Sequence, residues 1–372
     1  MTPRKDLDDI LSFSNYTNIF LTIMEQMQRA AKGLTLAYEC AKTLGDLEVG
    51  ATPADLVYQG RKLRLLHYKH MVEKRHPVPL LVVYALINRY YVLDLQPDKS
   101  WVRNLLKQGF DIYLIDWGYA EPVDRYLSFD DYVNRYIDMF VDIVRDASGQ
   151  ERISLHGYCM GGTMSVMYAA LHGEKVKNLY LTAPVIDVEK DNTVLGNLSK
   201  HIDADLLIDN FGNIPPEFLY LCFTILKPFK QGVNKYIEFA KHSGDKDFVE
   251  NFMRIEKWLY DTPAIAGETF RQWIKDIYQR NLLVKNQMKI GGKLVDLRKI
   301  DIPLLNVVAE DDHLVSPECS VPLNYHVSSE DKVLKVYPTG HIGLLASAYS
   351  QNHILPEIGA WLKERSYNHA ER

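Results

Sequence analysis

The chain of 372 residues is poor in cysteine, has no long apolar run and carries no excess of basic charge. Each shortage excludes something. The four cysteines, Cys40, Cys159, Cys222 and Cys319, lie far apart and form no C-x-x-C pair. That spacing indicates neither a cysteine zinc site nor a redox dithiol, and it points to a reducing compartment. No stretch reaches the roughly eighteen apolar residues that would suggest a spanning helix. The formal net charge of −5, with acids and bases well mixed, offers no basic field to nucleic acid. At the N-terminus, acids follow Arg4 and Lys5 at once and no apolar run comes behind them, so the shape of a signal peptide is missing. Internal repeats and low-complexity tracts are missing too. What remains is an ordinary globular composition, 47% hydrophobic and 24% charged, expected in the cytoplasm. The length allows one large domain with an insertion, or two domains.

Against that background one stretch stands out, residues 152–163. Ile153 to His156 reads as a short buried strand and Thr163 to Leu171 as a buried helix. Between them, Gly157-Tyr158-Cys159-Met160-Gly161 has the G-x-nucleophile-x-G spacing of a sharp strand-to-helix turn with a reactive side chain at its apex. So tight a turn calls for residues without side chains two before and two after the apex. Most such elbows carry serine; this one carries Cys159. The residue is expected at the carboxyl end of a central strand and at a helix N-terminus, where free N–H groups and the helix dipole favour an ionised sulfur. A thiolate is a better nucleophile and a better leaving group than an alkoxide, which suits exchange between thioesters.

The rest of the chain gives that elbow a setting. Residues 6–46 read as helix, with Ile10, Phe13, Ile23 and Met27 among its apolar face. Packing on the core is the favoured reading, and docking of a partner or an apolar particle is the other. Strands are predicted over 80–86, 110–116, 153–156, 179–181, 302–308 and 332–337, alternating with helices at 98–107, 129–146 and 353–365. Such alternation means a mostly parallel sheet with helices on both faces, whose ligands bind beyond the carboxyl ends of the strands. Residues 186–298 break the alternation. They are aromatic and mainly helical, and read as a cap inserted over the site. The expected division is an N-terminal helical segment (1–45), a core (46–185), the cap (186–298) and the rest of the core (299–372).

Two strand ends after the cap carry catalytic candidates. Glu310, Asp311 and Asp312 compete in the loop after strand 302–308. Asp312 is chosen, because Leu314 and Val315 would pack the loop down behind it. His341, just past Gly340 after the last strand, is placed as the base. The chain order nucleophile, acid, base is that of an α/β-hydrolase fold. His156 reads as a core residue, and His313 either lines the site or covers the loop. The oxyanion hole is expected from the backbone N–H groups of Met160 and Ile87. No metal and no cofactor is expected.

At this point the chain resembles the polyhydroxyalkanoate synthases, of the short two-component type. The resemblance rests on Gly157-Tyr158-Cys159-Met160-Gly161-Gly162, on Tyr84-Ala85-Leu86-Ile87-Asn88-Arg89 and on Asp116-Trp117-Gly118. Phe211-Gly212-Asn213-Ile214-Pro215, Gly267-Glu268-Thr269-Phe270-Arg271-Gln272-Trp273, Asp312-His313 and Gly340-His341-Ile342-Gly343 extend it. It implies an acyltransferase that polymerises (R)-3-hydroxyacyl-CoA, 3-hydroxybutyryl-CoA above all, through an acyl-Cys159 intermediate. It also implies a homodimer within a hetero-oligomer, a non-catalytic partner subunit and the surface of polyester granules. The partner would be PhaE-like, as in class III, rather than the PhaR-like one of class IV. The rival readings are a cysteine-elbow acyl-CoA thioesterase and an idle scaffold that coats granules.

Overall fold

A computed structural model describes residues 47–226, 238–239, 241–242 and 244–367, so the helix predicted over 6–46 lies outside the described residues. The described residues divide into two compact units, residue 47 with 221–257 and 48–220 with 258–367. In the smaller unit, Phe239 packs against Phe252 with ring centroids 4.5 Å apart, and Arg254 pairs with Glu250 one turn earlier at 3.1 Å.

The larger unit is built on one sheet. Its strands are β1 (Ala54–Gln59), β2 (Arg64–Tyr68), β3 (Leu80–Val83), β4 (Ile112–Asp116), β5 (Ile153–Tyr158), β6 (Val176–Thr182), β9 (Leu304–Ala309) and β10 (Lys332–Tyr337). A small hairpin, β7 (Lys289–Ile290) with β8 (Lys293–Leu294), turns at Gly291-Gly292. The sheet order is β1-β2-β4-β3-β5-β6-β9-β10. From β4 to β10 every pairing is parallel; β2 runs antiparallel to both β1 and β4. Every residue of β3, β4, β5 and β9 is buried, which in a parallel sheet means that both faces are covered. Helix Trp101–Lys107 packs with Leu355–Arg365, and helix Met160–His172 packs with the wide-turned segment Asp131–Ile137. The chain leaves β3 toward one side of the sheet and enters β5 on the other. The crevice between their carboxyl ends is therefore the switch point where such sheets bind ligands.

Two differences from the sequence reading matter for the site. The strand predicted over 80–86 stops at Val83, and Tyr84, Ala85 and Leu86 form a buried loop instead. Their apolar character goes with burial in a loop, not with pairing in a strand. The edge strand β1 and its neighbour β2 are absent from the sequence reading. β1 is exposed along nearly its whole length and its register slips between Leu56 and Tyr58, so it shows no clean alternation. Among the described residues no helix is long and apolar enough to cross a membrane.

Candidate active site

β5 ends at Tyr158 and the helix Met160–His172 begins two residues later, leaving Cys159 alone at the apex with φ 54° and ψ −124°. A non-glycine residue held there costs on the order of 1–3 kcal/mol and stays only if its surroundings fix it. The Cys159 N–H donates to the Thr182 carbonyl at 2.9 Å, and the Cys159 carbonyl accepts from the Thr163 N–H at 3.1 Å. The two flanking glycines serve space rather than dihedral freedom. A Cβ on Gly161 would collide with the Val83 carbonyl of the neighbouring strand, and one on Gly157 with Gly161 and Gly162 of the helix. Because the helix starts at Met160, its first N–H groups have no acceptor within the helix.

β9 and β10 bring the other two residues. Their exits are tied together: the Glu310 N–H donates to the Tyr337 carbonyl at 2.9 Å and the Asp311 N–H to the Thr339 carbonyl at 3.0 Å. Glu310 and Asp311 are exposed, whereas Asp312 is buried. Asp312 Oδ1 accepts from the N–H groups of Leu314 and Val315, both at 2.9 Å, and Oδ2 lies 2.6 Å from His341 Nδ1. The carboxylate is thus wholly engaged, and it reaches the crevice only through the imidazole. Cys159 is close enough to act on the His341 ring by charge and hydrogen bonding. Burial pushes the His341 imidazole down. The charges of Asp312 and of an ionised Cys159, with hydrogen bonds to both, push it up by more, to about 10. Cys159, Asp312 and His341 therefore come together from three strand ends. His313, next in the chain, is exposed.

Sequence reasoning missed the residues that hold these in place. Tyr158 carries the imidazole on its ring, 4.9 Å between centroids, and its hydroxyl donates to the His341 carbonyl at 3.4 Å. The loop after β3 is anchored from several sides. The Trp117 indole N–H donates to the Tyr84 carbonyl at 2.8 Å, and the Trp258 indole N–H to the Arg89 carbonyl at 2.7 Å. Asn88, at φ 60°, donates through Nδ2 to Thr262 Oγ1 at 2.6 Å. Arg89 and Arg64 both pair with the buried Asp116. Ile87 is half-buried in this loop. The one local signal was Asn88 itself, since asparagine after an apolar run is a common left-handed turn residue. Its partners lie about 170 positions away and leave no sequence pattern.

His156, read as a core residue, is one. It is fully buried in β5, stacked between Trp101 and Tyr180 at 4.9 and 4.1 Å, with Nδ1 3.2 Å from the Tyr180 carbonyl. Its Nε2 has no partner among the described residues.

Comparison with known proteins agrees with this architecture. The description "alpha/beta hydrolase fold" matches residues 78–348, and "Poly-beta-hydroxybutyrate polymerase (PhaC) N-terminus" matches residues 16–105. The chain is 47% identical over 344 residues to a poly(3-hydroxyalkanoate) polymerase subunit PhaC of Haloferax mediterranei, covering 92% of this chain and 70% of that one. It is 44% identical over 321 residues to the subunit of the same name from Allochromatium vinosum, covering 86% and 90%. Among solved structures, a soluble variant of monoglyceride lipase from Saccharomyces cerevisiae superposes with a TM-score of 0.55 at 15% identity, covering 87% of this chain and 99% of that one, a likeness of fold alone. The chain belongs to the family of the poly(3-hydroxyalkanoate) polymerase subunit PhaC, built on an α/β-hydrolase fold.

Proposed function

We propose that this chain polymerises (R)-3-hydroxyacyl units, 3-hydroxybutyryl above all, from their CoA thioesters into polyester, with Cys159 as the covalent carrier. Membership of the polymerase family supports the reaction class. The observation that carries the mechanism is a cysteine, not a serine, at the elbow apex, in hydrogen-bonding range of a His341 that Asp312 orients.

His341 takes the proton from Cys159, and the sulfur attacks the thioester carbonyl. The N–H groups of Met160 and Ile87 hold the oxyanion. CoA leaves with the proton from His341, so acyl-Cys159 faces a neutral imidazole. The next step joins a 3-hydroxyl to that acyl group. A hydroxyl is a far weaker acid than a thiol and needs a base within hydrogen-bond reach. His341 serves it, and Asp312 acts through His341, because both its oxygens are already engaged. An ester forms, the C–S bond breaks, and Cys159 recovers the proton. Acylation also cancels the sulfur charge that helped hold His341 protonated, so the imidazole is free to act as base when the hydroxyl arrives.

An acyl thioester open to water hydrolyses, so polymerisation requires a dry site. The aromatic, mainly helical segment 186–298 is proposed as the cap that keeps it dry and opens to admit CoA. The working form is proposed as a homodimer joined to a PhaE-like non-catalytic subunit on cytoplasmic granules of its own product.

The test is incubation of the purified chain with (R)-3-hydroxybutyryl-CoA, with and without partner subunit, beside Cys159→Ala. Released CoA and the fate of the acyl group are followed together. Insoluble polyester that falls by roughly ten-thousand-fold or more in the variant is expected. CoA release with free 3-hydroxybutyrate instead would make the chain a thioesterase.

A further inference from the structure

At the end of the sheet opposite the elbow, three potential ligands meet. His67 lies in β2, His70 two residues beyond its end, and Asp111 one residue before β4 begins. β4 and β5 both run parallel to β3, so the start of β4 and the end of β5, where Cys159 sits, are at opposite ends of the strands. His67 Nε2 is 2.6 Å from Asp111 Oδ1, His70 Nε2 is 3.7 Å from the same oxygen, and one ligand atom from each residue lies within 4.8 Å of the others. We propose that His67, His70 and Asp111 form a zinc-binding site that ties the end of β2 to the start of β4.

Donor atoms around a tetrahedral zinc at about 2.0–2.1 Å stand about 3.3 Å apart. The distances in the cluster bracket that value, so closure needs shifts of side chains and release to solvent of the proton that His67 Nε2 donates to Asp111. Two imidazoles and one carboxylate suit zinc, with a fourth position open to water. The side chains are 26%, 26% and 19% exposed, enough for a cation to enter without unfolding anything.

The frame is already set. The His67 ring lies flat on Tyr113, its cross-strand neighbour, with centroids 4.1 Å apart and planes 2° from parallel. The Asp111 carbonyl accepts from the Leu80 N–H at 2.8 Å, which pins its backbone to β3. Arg75 Nη1 donates to His70 Nε2 at 2.7 Å. A guanidinium only donates, so Nε2 carries the lone pair and the ring proton is on Nδ1, the tautomer a metal needs. Arg75 is exposed, and its guanidinium occupies the place a cation would take. The sequence-based expectation of no metal weighed cysteine spacing; the signal here is the H-x-x-H of His67 and His70 across a strand end.

The experiment titrates the metal-stripped full chain with zinc chloride by calorimetry. One equivalent should bind, with affinity falling at least about 100-fold in His70→Ala and in Asp111→Asn. Arg75→Ala should bind several-fold more tightly, an effect of opposite sign that a poorly folded variant would not produce. Cys159→Ala should bind like the parent. Cobalt(II) in place of zinc should show tetrahedral visible bands with no sulfur-to-cobalt charge transfer. Zinc should raise the melting temperature of the parent and not of His70→Ala. Absence of binding, binding equal in His70→Ala, or binding lost with Cys159 would overturn the site.

Discussion

Two regions around β5 bury a histidine and treat it in opposite ways. In the middle of the strand, His156 meets aromatic faces and one backbone carbonyl, and burial pushes it down to about 3. Beyond the carboxyl end, His341 is buried too, yet it is pushed up to about 10. The difference is partners. Among the described residues His156 has no charged neighbour to offset desolvation, whereas His341 has Asp312 on one ring nitrogen and Cys159 near the ring as well. Burial penalises the charged form in both, and the presence of an opposite charge decides the direction. One region uses histidine as a flat packing surface, and the other holds the proposed proton carrier.

The comparison breaks most completely if the charge on Asp312 is removed. In Asp312→Asn the side chain keeps its shape but not its charge, and its amide donates to His341 Nδ1. The ring proton then sits on Nε2, where the base is needed, so the imidazole can no longer accept from a hydroxyl. Elongation should fall roughly a thousand-fold. Acylation of Cys159 should survive far better, because a thiol needs less help than a hydroxyl. Single-turnover release of the first CoA, measured beside polymer growth, separates the two. Equal loss in both steps would refute the role given to Asp312.

His156→Phe is the converse. It should leave polymerisation within a few-fold of the parent and act on acid stability instead. The unfolded histidine takes up a proton near 6.5, and the folded one not until about 3. Between those values the unfolded chain binds more protons, so the stability of the parent falls as pH drops below 6.5. Phenylalanine cannot titrate. Denaturant unfolding should show the two proteins within about 1 kcal/mol of each other at pH 8. At pH 5 the variant should have gained about 2 kcal/mol relative to the parent. An unchanged difference at the two pH values would mean that His156 is not held neutral.

These regions were unequally legible in the sequence. The sequence reading of β10 matches its bounds and that of the elbow its apex, because a short run of β-branched and apolar residues and a glycine spacing are local signals. Asp312 was chosen over Glu310 and Asp311 by its place before Leu314 and Val315. The structure adds that the N–H groups of those residues grip its carboxylate. The run 80–86 looked like one strand because apolar residues in a buried loop and in a buried strand read alike. β1 and β2 were missed although Gly60-Arg61-Lys62 separates two short strand-like runs, because the outer run faces water. The wide turns over Asp131–Ile137 and Trp273–Gln279 have no sequence signature. The contacts of Asn88 and Trp258 were invisible for a different reason: they join residues distant in the chain.

Asn88 gives the smallest effect and the finest division of the carboxyl end. Its side chain reaches Thr262, and its neighbour Ile87 is the proposed second oxyanion donor. Alanine at φ 60° would strain the backbone and lose the hydrogen bond, so Asn88→Ala should lower kcat about tenfold and stability by about 1–2 kcal/mol. Glycine accepts that φ but makes no side-chain bond, so Asn88→Gly separates the two causes. Thr262→Val removes only the acceptor. If the loop positions Ile87, Asn88→Gly and Thr262→Val should both lower kcat with little change in KM, while the titration of His341 stays where it is. If only stability moves, the loop is scaffold, and the difference between the two histidine environments rests on Asp312 and Cys159 alone.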